Sequence, residues 1–308
     1  MGLGTFDAIK VIANKNGDLK QMSNAELKQL KQVLLGMMKE IDDVCQKNRI
    51  NYMLGGGTCL GAVRHGGFIP WDDDVDLNMT RKDYLKLRKV FKNELGEKYV
   101  MQSPEDKNSN GLGFVKIRKK GTVFRGRDDF ETSGCAGIGL DIFIIENTFN
   151  FVVMRKIHGF LSLLFGFCLS CRNFFDKRKM YLKIAGTEKK VKLAFRIKIF
   201  LGFLMAFLPV KTWVKIWNNV NKMCKNNQSK YVTVPVGRNH FFGEMYLRNG
   251  FCRYKRIVFE DLKLPVPIDV DGYMKNMYGD YMKIPEKKNQ ETHVFLELDF
   301  GDKKRGDK

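Results

Sequence analysis

Acidic residues are in short supply in this chain. Among 308 residues there are 34 Asp and Glu against 54 Lys and Arg, a formal net charge of +20. Such a surface attracts polyanions, whether nucleic acid, anionic lipid or phosphorylated substrate; its plain alternative is a solvated basic coat. Long apolar runs are missing too. The two stretches that stand out, 159–171 (GFLSLLFGFCLSC) and 199–210 (IFLGFLMAFLPV), hold 13 and 12 residues, short of the ~20 that a membrane span needs. The N-terminal MGLGTFDAIKVIANKNGD lacks an apolar signal core, and Phe at position 6 breaks the myristoylation pattern. These absences predict a cytoplasmic protein, attached to a membrane only by something internal. The seven cysteines are odd in number and mostly scattered in apolar surroundings, which predicts reduced thiols. Cys168 and Cys171 form a Cys-x-x-Cys, but no second pair and no nearby His-x-His completes a zinc site. They read as small apolar residues on a helix. There is no internal repeat and no low-complexity linker. A hydrophobic content of 44% argues against disorder, except over the final GDKKRGDK.

What is present begins with a long amphipathic helix. Ser23 and Glu26 form a capping box, and Leu27, Leu30, Leu34, Met37, Met38, Ile41 and Cys45 recur at helical spacing over 24–47. A short strand at 50–54 runs into Gly55-Gly56-Gly57-Thr58 and a helical turn. After His65-Gly66-Gly67 comes an acidic strand, Asp72 to Met79. Thr80 caps a helix bearing Tyr84, Leu87, Phe91 and Leu95. Strands are predicted at 114–118 (FVKIR) and 137–145 (GIGLDIFII). Residues 1–150 therefore read as a sheet domain of α/β or α+β type. Residues 151–225 are helical, basic and Phe-rich, and their apolar stretches fit either core helices or a hairpin in the membrane interface. Residues 226–308 return to mixed structure, with a strand at 231–234 and a short helix around Tyr273 to Tyr278.

The chemistry is concentrated in LGGGTCLGAVRHGGFIPWDDDVDLNM, residues 54–79. Side chains alternate along a strand, so Val75, Leu77 and Met79 face the core while Asp74 and Asp76 stand together on the other face. Two carboxylates that close repel unless a cation lies between them, and Mg²⁺ favours one or two carboxylates completed by water and phosphate. A solvated acidic turn is the plainer reading, disfavoured by the apolar strand around the acids. Gly55, Gly56 and Gly57 at a helix start can offer N–H groups to a phosphate, with Thr58 adding a hydroxyl. No Gly-Lys-Ser/Thr follows, which excludes a Walker A loop. Asp141 interrupts the apolar run Ile138 to Phe143, where a lone carboxylate is costly. Either a metal or a basic partner explains it. His65 is a candidate base by residue type alone.

Three carboxylates and a glycine turn are the parts of a nucleotidyltransferase fold, and the resemblance goes further. GGGTCLGAVRHGGFIPWDDDVDLNMTRKDY resembles the signature of the LicD family, whose core fukutin-related proteins share. FEDLKLPVPIDVDGYMKNMYGDYMKIP resembles its second block, with Tyr278-Gly279-Asp280. The match covers residues 25–145 and 255–300. It fades across the helical segment, and Cys59 stands where the family usually has a larger aliphatic residue. The resemblance implies an α+β fold with a nucleotidyltransferase-like mixed sheet flanked by helices and a helical basic/apolar insert. It implies transfer of a phosphoalcohol group, typically phosphocholine from CDP-choline, onto a sugar hydroxyl of a cell-surface or lipid-linked glycan. By matching positions it assigns Gly56, Gly57 and Thr58 to the phosphate cradle. Asp74, Asp76 and Asp141 become the metal-binding and catalytic carboxylates. Arg64, Lys116 and Arg118 are placed near the donor phosphates. The ion is Mg²⁺, with Mn²⁺ as the alternative.

Partners expected on this reading are a CDP-alcohol, a glycan or glycolipid acceptor and an anionic membrane surface on the inner face of the cell membrane, with no stable nucleic-acid partner. Three alternatives remain open. A ribitol- or glycerol-phosphate transferase shares the fold. A nucleotidyltransferase acting on RNA or a small molecule would release pyrophosphate. A non-catalytic basic protein is disfavoured by the intact acidic strand.

Overall fold

The computed structural model describes residues 20–106, 111–126, 136–185, 189–287, 290 and 295–301. The expectations for the first 19 residues, for Cys135 and for most of the C-terminal GDKKRGDK lie outside the described residues.

Helix α1 (Asn24–Lys47) opens on a closed capping box: the Ser23 hydroxyl accepts from the Glu26 N–H, and the Glu26 carboxylate accepts from the Ser23 N–H. Its apolar face, Leu30 to Cys45, is buried against the sheet. Then come β1 (Met53–Leu54), α2 (Gly56–His65), β2 (Asp76–Thr80), α3 (Arg81–Glu94), β3 (Tyr99–Gln102), β4 (Val115–Lys119), β5 (Val123–Gly126) and β6 (Gly139–Asn147). Thr80 caps α3 by accepting from the Asp83 N–H, and Tyr84, Leu87 and Phe91 are buried. Four helices follow: α4 (Val152–Asp176), α5 (Arg178–Ala185), α6 (Lys189–Leu204) and α7 (Val210–Asn221). The chain then returns through β7 (Tyr231–Thr233), α8 (His240–Gly243), β8 (Met245–Leu247), α9 (Arg248–Phe251), β9 (Tyr254–Phe259), β10 (Leu262–Pro267), α10 (Val270–Tyr278) and β11 (Phe295–Asp299).

The main sheet runs β1-β2-β6-β4-β3, and β7 joins β6 and carries β8. β2 and β6 are parallel and the other pairs antiparallel, which makes a mixed sheet with helices packed on it. This is the α+β architecture expected from the sequence. The acidic segment differs in detail. The hydrogen-bonded strand starts only at Asp76, and Asp72 to Asp74 lead into it as extended chain. The expected alternation survives because that lead is extended: Val75, Leu77 and Met79 are fully buried. Strands β3, β5, β8, β9, β10 and β11 went unforeseen; β5 and β11 are short and each gains its partner from a distant segment.

Helices α4 to α7 build small cores of their own. Phe174 stacks on Tyr181 at 3.9 Å between ring centres, and Phe195 meets both edge-on. Leu169, Trp213 and Val214 form a second cluster. At Gly202 a Cβ would fall 2.0 Å from the Cys171 carbonyl oxygen, so only glycine lets α6 lie this close to α4. Within the segment, Ser162 donates to Asn221 and His158 contacts the Val220 carbonyl, tying α4 to α7. The seam to the sheet domain includes polar contacts, where Arg81 joins Glu146 and Glu105 to Asn218 of α7. Helix α4 outruns the apolar stretch expected from sequence, because Val152 to Met154 join ahead of Arg155 and Lys156. It is 25 residues long and, by length and composition alone, apolar enough to cross a membrane. Cys168 and Cys171 lie on α4 as free thiols, and no metal-binding group occurs among the described residues.

Helix α2 is held at its far end by a turn. A Cβ at Gly61 would meet the Gly67 carbonyl oxygen at 2.4 Å. The neighbour is backbone and cannot swing away, so Gly61→Ala should lower stability by about 1–3 kcal/mol, read as a fall in Tm.

Candidate active site

The centre of the site is the junction of β1, α2 and β2. The Gly55 N–H donates to the Asp76 carbonyl (2.8 Å), and the Thr58 hydroxyl accepts from the Asp76 N–H (2.9 Å). Thr58 thus ties the first turn of α2 to the start of β2 and is itself buried. Gly56 has φ +41°, and a Cβ there would lie 2.6 Å from Asp76 Oδ2. A Cβ at Gly57 would lie 2.8 Å from Asp72 Oδ2. Both glycines are therefore needed to let carboxylates approach the positive N-terminal end of the helix.

Parallel pairing of β2 with β6 then sets Asp76 opposite Asp141. On the other flank of β6, Lys116 of β4 is the register partner of Asp141, and its Nζ lies 2.9 Å from Asp141 Oδ1. That oxygen is buried and accepts no well-aligned hydrogen bond. The basic partner foreseen for Asp141 is thus present alongside the second carboxylate. Burial pushes the Asp76 carboxyl well above the usual carboxylate range, and the charges of Asp74, Asp141 and Asp72 push it further, while Lys116 pulls it back. Three further acids therefore bear on Asp76. Among the described residues, no three acidic, His or Cys side chains are already drawn together as a metal cage. Mg²⁺ does not require one, because water and substrate phosphate supply most of its ligands. Hard carboxylate oxygens on adjacent strands, one of them without a hydrogen bond, fit that ion.

The C-terminal block closes over this junction. Tyr273, fully buried on α10, accepts from the Gly56 N–H (2.9 Å) and from the Asn78 side-chain amide (3.2 Å). Tyr278 at the end of α10 lies in the field of Asp76, Asp72, Asp74 and Arg238; burial and the three acids raise its phenol while Arg238 lowers it. Glu260, in the β9–β10 turn, accepts from the Phe68 N–H (2.9 Å), and its own N–H donates to the Gly66 carbonyl (2.7 Å). Lys31 of α1 donates to the carbonyls of Ile69 and Pro70, steadying the loop that leads to Asp72.

The three cations expected beside donor phosphates are placed differently. Lys116 meets the carboxylates. Arg64 lies at the opposite end of α2, about 12 Å of helix rise from Gly56. It donates to the Tyr281 carbonyl (2.8 Å) and to His65 Nε2 (3.0 Å), and lies over the Trp71 ring. Arg118 is buried and donates to the Gly137 carbonyl (3.1 Å) and Gln102 (3.0 Å). His65 packs edge-on to Trp71; burial, with Arg64 and Lys31 nearby, lowers its pKa. Sequence reasoning passed over Asp72, Asn78, Tyr273 and Glu260 as site residues. Asp72 could have been found in the Asp-Asp-Asp run, whereas Tyr273 is brought to Gly56 only by the fold.

Two outcomes follow from these contacts. Tyr273→Phe leaves two buried donors without an acceptor and should cost about 1–3 kcal/mol of stability, measured by urea unfolding. Glu244 accepts from the Asn239 N–H (3.0 Å) and so holds the loop beside Arg238. Burial pushes its carboxyl up to about 7 from 4.5, with the Asn239 N–H opposing. A raised folded-state pKa means this group's contribution is full below the unfolded value and is lost as pH rises to the folded one. Wild-type protein should therefore lose up to about 3 kcal/mol between these limits, and Glu244→Gln should flatten that slope.

Comparison with known proteins agrees with this geometry. Residues 49–156 match the family model described as LicD/FKTN/FKRP, nucleotidyltransferase domain. The chain is 27% identical over 296 residues to the lipopolysaccharide cholinephosphotransferase LicD of Haemophilus influenzae, an alignment covering 90% of this chain and 98% of that protein. A 34-residue segment, 11% of this chain, is 56% identical to the ribitol 5-phosphate transferase FKRP of Homo sapiens, of which it covers 7%. With the glycine turn and the paired strand carboxylates in one place, residues 49–156 match the LicD nucleotidyltransferase domain, and the chain is similar over most of its length to a LicD cholinephosphotransferase.

Proposed function

We propose that this enzyme transfers a phosphoalcohol group from a CDP-alcohol to a sugar hydroxyl of a cell-surface or lipid-linked glycan. CDP-choline is the first-choice donor, because the relative aligned over nearly its whole length is a cholinephosphotransferase. The observation that carries the reading is the Asp76–Asp141 pair on adjacent parallel strands, flanked by Lys116 and the α2 N-terminus. Asp74, Asp76 and Asp141 would hold Mg²⁺ or Mn²⁺, which when bound neutralises the donor diphosphate. Lys116 is placed to steady the transferring phosphoryl group. With the Gly55 and Gly56 N–H groups given to the Asp76 carbonyl and Tyr273, the Gly57 and Thr58 N–H groups would receive the phosphate of departing CMP. Asp141 is the base proposed for the acceptor hydroxyl: its carboxylate would take the proton as the sugar oxygen bonds phosphorus and the bond to CMP breaks. The match to a ribitol 5-phosphate transferase supports CDP-ribitol as the second donor to try.

The deciding assay incubates the protein with Mg²⁺, a crude glycolipid acceptor and a panel of CDP-alcohols, CTP and ATP. Release of CMP from one CDP-alcohol should fall about a hundredfold or more in Asp74→Ala with Asp76→Ala. Pyrophosphate from a triphosphate would instead identify a nucleotidyltransferase.

A lipid-linked acceptor brings the enzyme to a membrane, and the outer faces of α4 and α6 suit an anionic bilayer. On α4, Val153, Ile157, Phe160, Leu164 and Phe167 are exposed at helical spacing; on α6, so are Leu193, Ile197, Phe200 and Leu204. The only acid on α4 to α7 is Asp176, while Lys and Arg border both helices. The opposite side of α4 is fixed to the protein through His158, Ser162 and Gly159, so the helix lies along the interface and does not cross it. Vesicles containing phosphatidylglycerol should carry the protein upward in a flotation gradient at low salt, and Phe160→Asp with Phe200→Asp should abolish this. Equal flotation of the variant would refute the assignment.

A further inference from the structure

The family match leaves open where the acceptor sits. A cavity of about 310 Å³ lies between β4 and the helical segment. Lys116 forms part of its wall, with the segment leading into β4 through Phe114, and α4 contributes Asn173 and Phe174. Lys177, just beyond α4, and Trp217 of α7 complete the polar and aromatic surface. Lys116 Nζ lies 2.9 Å from Asp141 Oδ1, so a molecule touching Lys116 from the cavity is one side chain from the proposed base. The cavity is built into the junction. At Gly113 a Cβ would lie 2.2 Å from the Trp217 ring and at Gly166 3.1 Å, so the indole is clasped between two glycines. Its Nε1 donates to the Ser162 carbonyl at 2.8 Å, which fixes its orientation. Lys116 stands over the Phe114 ring, 5.6 Å from its centre.

The lining chooses among the substrates. Aromatic faces beside an amide, the Ser170 hydroxyl and ammonium groups bind a polyol, through apolar packing and directed hydrogen bonds. Among the described residues no carboxylate lines the cavity, so its ammonium groups suit a neutral or phosphorylated sugar. The second cavity, about 300 Å³ beneath α1, has its acid Asp42 already paired with Arg256 and Tyr52 and has no link to the site. We propose that the β4–α4–α7 cavity binds the acceptor sugar and presents its hydroxyl to Asp141. This rests on the phosphotransferase reading. It also explains why one helix carries both the cavity wall and the apolar outer face, since a sugar on a lipid carrier would be delivered from the membrane side.

Isothermal titration with galactose, glucose and their 6-phosphates tests the site without requiring turnover. Saturable binding is expected, tighter for the phosphates, and weakened at least tenfold by Asn173→Ala with Lys177→Ala, with circular dichroism confirming the fold. In the transfer assay the same variant should raise the acceptor KM at least tenfold and leave the CDP-alcohol KM within twofold. No sugar binding by the wild type, or binding and acceptor KM unchanged in the variant, overturns the assignment. Sugar binding that depends on these residues, without CMP release from any donor, would instead fail the transferase reading and leave the cavity assignment standing.

Discussion

Asp76 and Asp141 face each other across parallel strands in a largely buried sheet, and like charges so placed repel. The surroundings of the pair are arranged around that repulsion. Lys116 enters from the next strand and meets Asp141. Two glycines bring the positive end of α2 within contact of Asp76 and Asp72. On the proposed function, the positive charge still wanting would come from a divalent ion bound with the diphosphate donor.

The C-terminal block serves the same arrangement from outside the sheet. Tyr273 receives the Gly56 N–H, so the turn that must adopt a positive φ is fixed by a residue 217 positions away in sequence. Glu260 and Gly66 lock the following turn. These contacts make the C-terminal residues part of the site: the glycine turn is not held in shape by its own segment alone.

The helical segment is attached through polar contacts and small aromatic cores of its own, and it is two-sided. One side meets β4 and lines a cavity beside Lys116; the other leaves large apolar side chains in the open. Exposed phenylalanines at helical spacing form the kind of apolar face that the proposed membrane-bound acceptor would call for.

Much of this was legible in the sequence. The capping box fixed the start of α1, the period-two burial of Val75, Leu77 and Met79 placed the acids opposite the core, and the alternating β4 segment set Lys116 on one face, because these depend on local backbone geometry. The family resemblance placed three cations beside the donor phosphates, and the fold sets them apart. Arg64 is carried to the far end of α2 and Arg118 is buried against Gly137, leaving Lys116 beside the acids. Strand partners cannot be read from a single strand, since register depends on the neighbour. The sequence by itself therefore determined which residues could carry the chemistry. Tertiary structure decided which of them meet, because the parallel pairing of β2 with β6 and the return of α10 join segments far apart along the chain.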